Sequence, residues 1–62
     1  MTKEEWLIAL INGAKGKQSK SSDNIYWYYR GTFYRKSDPY TQSDMVDVNY
    51  IMPDRDFTII GE

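Results

Sequence analysis

The sequence contains neither cysteine nor histidine, and each absence removes a class of chemistry. Without cysteine the fold can form no disulfide and no thiolate metal site. Without histidine it lacks a common zinc ligand and the usual base of a nucleophilic triad. A domain of 62 residues buries only about 60% of the surface of its unfolded chain. We therefore expect aromatic packing, from two Trp, six Tyr and two Phe, or self-association to stabilise it.

Long apolar runs are also missing. The longest, from Trp6 to Ile11, is far too short to span a bilayer, which takes about 20 residues. The opening segment, Met1-Thr-Lys-Glu-Glu5, lacks the basic start and apolar stretch that are typical of a signal peptide. These features predict a cytoplasmic protein that does not associate with a membrane.

Carboxylates are present, but their spacing does not favour catalysis or metal binding. Asp54-Arg55-Asp56 falls in a predicted turn, where solvation explains it better than a catalytic pair does. The oxygen ligands at Asp44, Asp47 and Asn49 lack the spacing and the glycine of a calcium loop. The segment 13–17 resembles a phosphate loop only in composition, because it ends a helix instead of preceding one. We predict no enzymatic activity, no metal and no cofactor.

Charge is nearly balanced over the chain but unevenly distributed along it. Residues 1–36 contain seven Lys or Arg and three acidic residues, whereas residues 37–62 contain one Arg and six acidic residues. The favoured interpretation is that the two parts neutralise each other within one fold.

A helix is predicted over about residues 3–14. Thr2-Lys-Glu-Glu5 fits a capping box, in which each side chain accepts a hydrogen bond from the other residue's backbone N–H. Apolar residues then recur at helical spacing, and Gly13 and Gly16 are typical stop signals. The stripe expected to face a sheet consists of Leu7, Leu10, Ile11 and Ala14.

The remaining chain predicts three antiparallel strands, over about residues 25–36, 45–52 and 57–60, after a loop at 16–24. We therefore expect a single small α+β domain over residues 1–62. In this fold an N-terminal helix packs on one face of a three-stranded antiparallel β-meander.

The expected turns define a register for this meander. A turn initiated at Asp38-Pro39 and a hairpin centred on Tyr40-Thr41 would pair Phe33 with Val48, so that like faces join. The further expected pairs are Lys36 with Met45, Tyr34 with Asp47, Gly31 with Tyr50, Met52 with Phe57, and Tyr50 with Ile59. The side chains then expected beneath the helix are Trp27, Tyr29, Phe33, Val46, Val48, Tyr50, Phe57 and Ile59.

The opposite face of the predicted sheet is the candidate binding surface. Read as one strand, residues 25–36 place a polar-tipped, aromatic and cationic set on one face. Tyrosine and arginine dominate binding hot spots, although tyrosine and threonine are also favoured in strands for packing alone. The candidate partner-binding residues are Tyr26, Tyr28, Arg30, Thr32, Tyr34, Lys36 and, from the next strand, Asp47.

These residues predict a non-catalytic binding module of the inhibitor or accessory type, a type that includes small bacteriophage proteins. A protein partner is favoured, either a host protein or a second copy that forms a homodimer through the open sheet face. The alternative is nucleic acid, with bases stacked on the tyrosines and phosphates neutralised by Arg30, Lys36 and nearby lysines. Against this, the chain is slightly acidic, and Asp44 and Asp47 are expected close to the same face.

Overall fold

The computed structural model describes residues 1–37 and 42–61. The described residues form an α+β fold with one N-terminal helix and an antiparallel sheet, as the sequence predicts. The sheet has five strands in place of the three expected. The elements are α1 (Lys3–Ile11), β1 (Lys15–Lys17), β2 (Asn24–Tyr29), β3 (Thr32–Ser37), β4 (Asp44–Val46), a 3₁₀ turn (Val48–Tyr50) and β5 (Thr58–Gly61).

The sheet has the strand order β4-β3-β2-β1-β5, and every neighbouring pair is antiparallel. The predicted loop at 16–24 therefore contributes a strand, β1, which lies between β2 and β5. The predicted strand at 57–60 corresponds to β5, but its partner is β1 and not the segment at 45–52. Among the described residues, no helix is long and apolar enough to cross a membrane.

Helix α1 begins with the predicted capping box. The backbone N–H of Glu5 donates to Thr2 Oγ1 at 3.1 Å, and the backbone N–H of Thr2 donates to Glu5 Oε1 at 2.9 Å. Two of the N–H groups that a helix start leaves without partners are thereby satisfied. The sequence motif and the structure agree at this end of the helix.

The helix ends at Ile11, earlier than predicted. Gly13 adopts a φ of 107°, which an L-residue with a side chain rarely adopts. Its N–H donates to the carbonyl of Leu10 at 3.0 Å, and the N–H of Ala14 donates to the carbonyl of Ala9 at 3.0 Å. This pair of bonds is the Schellman motif, and it turns the chain directly into β1.

The predicted strand at 25–36 is wrong, because Arg30 and Gly31 interrupt it with a two-residue turn. Both residues have positive φ, 47° and 85°, which defines a type I′ hairpin turn. Tyr29 and Thr32 pair across the turn, so that β2 and β3 form a tight hairpin. After the turn the side-chain alternation starts again, and an odd residue of β3 shares a face with an even residue of β2.

The register between β3 and β4 differs from the expected one by two residues. Phe33 pairs with Val46 and Tyr34 with Met45, whereas the sequence predicted Phe33 opposite Val48. A shift of two residues keeps every side chain on its own face, so the apolar pairing survives. The predicted turn residues Asp38-Pro39 and Tyr40-Thr41 lie outside the described residues.

The core lies between α1 and one face of the sheet, and Trp6 is its centre. The fully buried Trp6 ring contacts Phe57 at 4.9 Å and Tyr26 edge-on at 5.4 Å, measured between centroids. Its indole N–H donates to the carbonyl of Thr58 at 3.0 Å, which attaches α1 to β5. The buried apolar residues are Trp6, Leu10, Ala14, Tyr26, Ile51 and Phe57.

The predicted core is wrong at several positions. Ile11 is 51% exposed, because Trp6 and Leu10, one helical turn apart, form the buried stripe in its place. Tyr50 is 85% exposed, because the 3₁₀ turn replaces the predicted strand at this point. Trp27 and Tyr29 lie on the sheet face opposite α1.

The segment 47–57 closes the core on the helix side. It connects β4 and β5, which lie at opposite edges of the sheet, and it buries Ile51 on its way. The Lys3 ammonium donates to the carbonyl of Ile51 at 2.7 Å, joining this segment to α1. One face of the sheet is therefore covered, and within residues 1–37 and 42–61 no element packs over the other face.

Candidate binding face of the sheet

The seven predicted site residues do not share one face. Tyr26, at 5% exposure, belongs to the core, and its hydroxyl accepts a hydrogen bond from Gln18 Nε2 at 2.8 Å. Tyr28 is half-buried on the same covered face and contacts the ring of Phe33 edge-on at 5.0 Å. The hairpin turn is the physical reason, because it divides the expected strand, so that even residues of β2 share the covered face with odd residues of β3.

The other predicted residues lie elsewhere. Arg30 is at the tip of the β2–β3 hairpin, with its guanidinium carbon 5.2 Å from the centre of the Tyr29 ring. Asp47 caps the 3₁₀ turn, where its carboxylate accepts from the N–H of Asn49 at 2.9 Å. Three predicted residues do lie on the uncovered face of β3, namely Thr32, Tyr34 and Lys36.

The register brings a different set of side chains together on the uncovered face. Gly16 pairs with the buried Tyr26, so the residues on either side of Gly16 point away from the core. The same alternation applies along β2, β3 and β4. We call this surface the open face; its residues are Lys15, Lys17, Ile25, Trp27, Tyr29, Thr32, Tyr34, Lys36 and Met45.

Two aromatic rings form the centre of the open face. Trp27 pairs with Tyr34 across β2 and β3, and the two rings are stacked with centroids 5.9 Å apart and planes 19° apart. Lys15 lies beside Trp27, and Met45 pairs with Tyr34 on the other side and is 76% exposed. Together they form a row across four strands, with the stacked pair in the middle.

A second row contains the other two lysines. Ile25 pairs with Lys36 on β3, and antiparallel pairing with β1 places Lys17 on its other side. A shallow concavity of about 300 Å³ lies where the two rows meet, lined by Lys15, Ile25, Trp27, Lys36 and Ser43. The open face thus combines a stacked ring pair, a small apolar depression and three ammonium groups.

The charges of the chain are separated by face. In the strands of the described residues, the open face includes three lysines and no carboxylate. Asp44 lies opposite Arg35 on the covered side, and its carboxylate is 3.6 Å from the guanidinium. Asp47 caps the 3₁₀ turn and lines a depression on the covered side together with Tyr26 and Arg35. The expectation that Asp44 and Asp47 lie close to the binding face is therefore wrong.

The described residues contain no group of three or more His, Cys, Asp or Glu side chains that could hold a metal ion. Compared with protein-family models, curated proteins and solved structures, the chain has no significant match. Function must therefore be inferred from the side chains of the open face.

Sequence reasoning missed Trp27, Ile25 and Met45 as site residues and assigned Lys17 of β1 to a loop. One signal could have found Ile25 and Trp27. Arg30-Gly31 is flanked by aromatic residues on both sides, Tyr26 to Tyr29 before it and Phe33 and Tyr34 after it, and a glycine there is compatible with a tight hairpin. A turn at this position assigns Trp27 and Tyr34 to one face and Tyr26 to the other.

Proposed function

We propose that this protein is a non-catalytic binding module that engages a macromolecular partner through its open face. The observation that supports this is the stacked pair Trp27–Tyr34 at the centre of a sheet face that is otherwise cationic. Tryptophan and tyrosine are enriched in binding hot spots. Because each ring already restrains the other, little side-chain entropy is lost when a partner covers them.

The composition of the open face goes beyond what solvation of a sheet requires. An uncovered antiparallel face normally alternates polar residues with the buried ones behind it. Here Ile25, Trp27, Tyr34 and Met45 form a contiguous apolar and aromatic surface, with lysines at its margin. Contiguous exposed apolar surface with a polar rim is typical of an interaction site.

The proposed site keeps Thr32, Tyr34 and Lys36 from the residues that the sequence predicts. Arg30 extends it at the hairpin tip, where the exposed guanidinium stacks on the Tyr29 ring. Tyr26, Tyr28 and Asp47 act in the fold, because they pack in or beside the core or cap a turn.

A second copy of the chain fits the open face less well than a different partner does. A symmetric dimer places the same patch on both sides of its interface. Lys15, Lys17 and Lys36 of both copies would then lie in one interface, to which the described strands of the open face bring no carboxylate. Like charges brought together at an interface cost several kcal/mol of binding free energy.

Site-directed photo-crosslinking tests the proposed surface whatever the identity of the partner. A benzophenone amino acid replaces Tyr34 on the open face, or Tyr50 on the covered side as a matched exposed control. In an extract of the protein's own source, we expect the probe at Tyr34 to capture a macromolecule. Adding Lys36→Glu to the same chain should abolish the capture. Equal capture from both positions, or capture from Tyr50 alone, would place the binding surface elsewhere.

A further inference from the structure

We propose that the open face binds single-stranded nucleic acid, with bases stacked on Trp27 and Tyr34 and phosphates neutralised by Lys15, Lys17 and Lys36. This inference rests on the proposed function, since it names the partner class of the same surface. Two independent features of the face lead to it, the geometry of its rings and the sign of its charge.

The rings provide a stacking platform. Trp27 and Tyr34 lie near the middle of the sheet with nearly parallel planes. Met45 continues the row beyond Tyr34, and the depression at Ile25 lies beside Trp27. Aromatic side chains on an open sheet are a recurrent way to bind unpaired bases, because every base has a π-face.

The lysines lie where the sugar–phosphate backbone of a bound strand would run. Lys15 is at one end of the ring row, and Lys17 and Lys36 flank Ile25 in the neighbouring row. Residues two apart on one strand are separated by about 7 Å, so the lysine row runs directly alongside the rings. A base on the ring row would therefore leave its phosphates close to ammonium groups.

The acidic balance of the chain does not oppose this partner. The net charge of −1 is the sum of two unlike surfaces. On the covered side Asp44 pairs with Arg35, and Asp54 and Asp56 belong to the segment 47–57, which Lys3 joins to α1. Charge complementarity is decided by the local patch, and the open face has a local charge of three. A single strand is favoured over a duplex because, in a duplex, the base faces that the rings would contact are stacked against neighbouring base pairs.

Fluorescence anisotropy with labelled oligonucleotides tests the inference. The probes are an oligothymidylate and an oligouridylate of about ten nucleotides, and a DNA duplex of the same length. We expect both single strands to bind at about 10 μM or tighter in low salt, and the duplex to bind at least about fivefold more weakly. The two single-stranded probes separate DNA from RNA as the source of the shared chemistry.

Salt dependence and substitutions locate the contact. Three phosphate contacts predict a slope of about −2 when log K is plotted against the logarithm of the salt concentration. This corresponds to about a 20-fold loss of affinity between about 50 and 200 mM salt. Lys36→Gln should reduce that slope by about 0.7. Trp27→Leu and Tyr34→Leu, which keep an apolar side chain, should each weaken binding about 5- to 150-fold. Circular dichroism melts confirm that each variant folds.

Tyr50→Leu and Arg55→Gln are the matched controls, because they remove an exposed ring and an exposed cation from the segment 47–57, which is outside the open face. Neither should change binding by more than about twofold. The inference would be overturned if the open-face substitutions left the affinity for oligonucleotides unchanged, or if the duplex bound more tightly than the single strands. An absence of binding while crosslinking from Tyr34 captures a protein would also overturn it, and in that case the proposed function would stand with a protein partner.

Discussion

At the scale of single residues, Gly16 shows most clearly how a side chain, or the lack of one, determines this fold. It lies under the Trp6 indole, and a Cβ built on it would meet Trp6 Nε1 at 2.2 Å and the carbonyl oxygen of Thr58 at 2.8 Å. The sequence indicated Gly16 only as a helix stop. Its role is steric, since it lets the largest ring of the core lie against the backbone of β1.

Gly16→Ala should therefore lower the free energy of unfolding by at least about 2 kcal/mol, because neither the ring nor the strand backbone can move without losing contacts. Gly61→Ala is the matched control, since nothing lies within 4 Å of a Cβ at that position. Urea denaturation measures both variants. Equal and small effects would show that the indole does not pack on β1 as described.

The hairpin turn gives a second prediction at this scale. Arg30 has a φ of 47°, and the left-handed region costs a residue with a long side chain about 1 kcal/mol. Arg30→Asn should stabilise the protein by about 0.5 kcal/mol, after subtraction of about 0.5 kcal/mol for the lost contact with the Tyr29 ring. Gly31→Ala should destabilise it by about 1 kcal/mol, since its φ is 85°. A type I′ turn would be excluded if thermal melts showed that Arg30→Asn destabilises the protein and Gly31→Ala stabilises it.

At the scale of elements, local signals were sufficient for α1 and insufficient for the sheet. The capping box and Gly13 can be read from neighbouring residues, and both determine the helix ends. The β2–β3 turn lacks the Asn or Asp that usually marks a type I′ hairpin. β1 is a polar segment of three residues, Lys15–Lys17, and it becomes a strand only because β2 and β5 pair with it. Such pairing is a tertiary effect that a local pattern does not encode.

The sequence predicted the type of surface that forms the candidate site but only some of its residues. An aromatic and cationic sheet face exists, and Tyr34 and Lys36 lie on it. The parity of β2 was inverted by the missed turn, so Trp27 was assigned to the core and Tyr26 to the surface. Because side chains alternate with a period of two, one unrecognised turn exchanges the faces of a whole strand.

The start of α1 gives a prediction about acid stability. Hydrogen bonds from the backbone and hydroxyl of Thr2 hold the pKa of the Glu5 carboxyl below its ordinary value. A lowered folded-state pKa contributes stability above the unfolded pKa of about 4.3, and this is lost as the pH falls through the lowered value. Between pH 7 and acid pH the wild type should therefore lose more stability than Glu5→Gln. Glu4→Gln, in the same helical turn, is the control, and equal losses in the wild type and Glu5→Gln would contradict the capping contact.

The assignment of the two sheet faces can be tested with one pair of tyrosines. Tyr26 in β2 is buried, whereas Tyr34 in β3 lies on the open face. Tyr26→Ala should cost about 3 kcal/mol, which is enough to unfold much of so small a domain. Tyr34→Ala should cost about 1 kcal/mol, the approximate value of a cross-strand aromatic pair. Chemical denaturation that shows a larger loss for Tyr34 would invert the faces.

At the scale of the whole molecule, the chain separates its charges by surface. The excess of basic residues in the first 36 positions and of acidic residues after them was expected to neutralise within one fold. An ion pair of Arg35 with Asp44 joins the two parts on the covered side, and three lysines lie on the open face. A protein with almost no net charge can therefore present a cationic, aromatic surface to a partner.

The two tryptophans allow the most direct test of this account. Trp6, in α1, is fully buried in the core, and Trp27 is at the centre of the open face. Their indole N–H groups give two separate signals in a ¹⁵N–¹H correlation spectrum of the uniformly labelled protein. On titration with single-stranded oligothymidylate, we predict that the Trp27 signal shifts or broadens progressively while the Trp6 signal stays in place. A Trp27 signal that does not move, or shifts confined to Trp6 and the covered face, would contradict the central claim that the open face binds single-stranded nucleic acid.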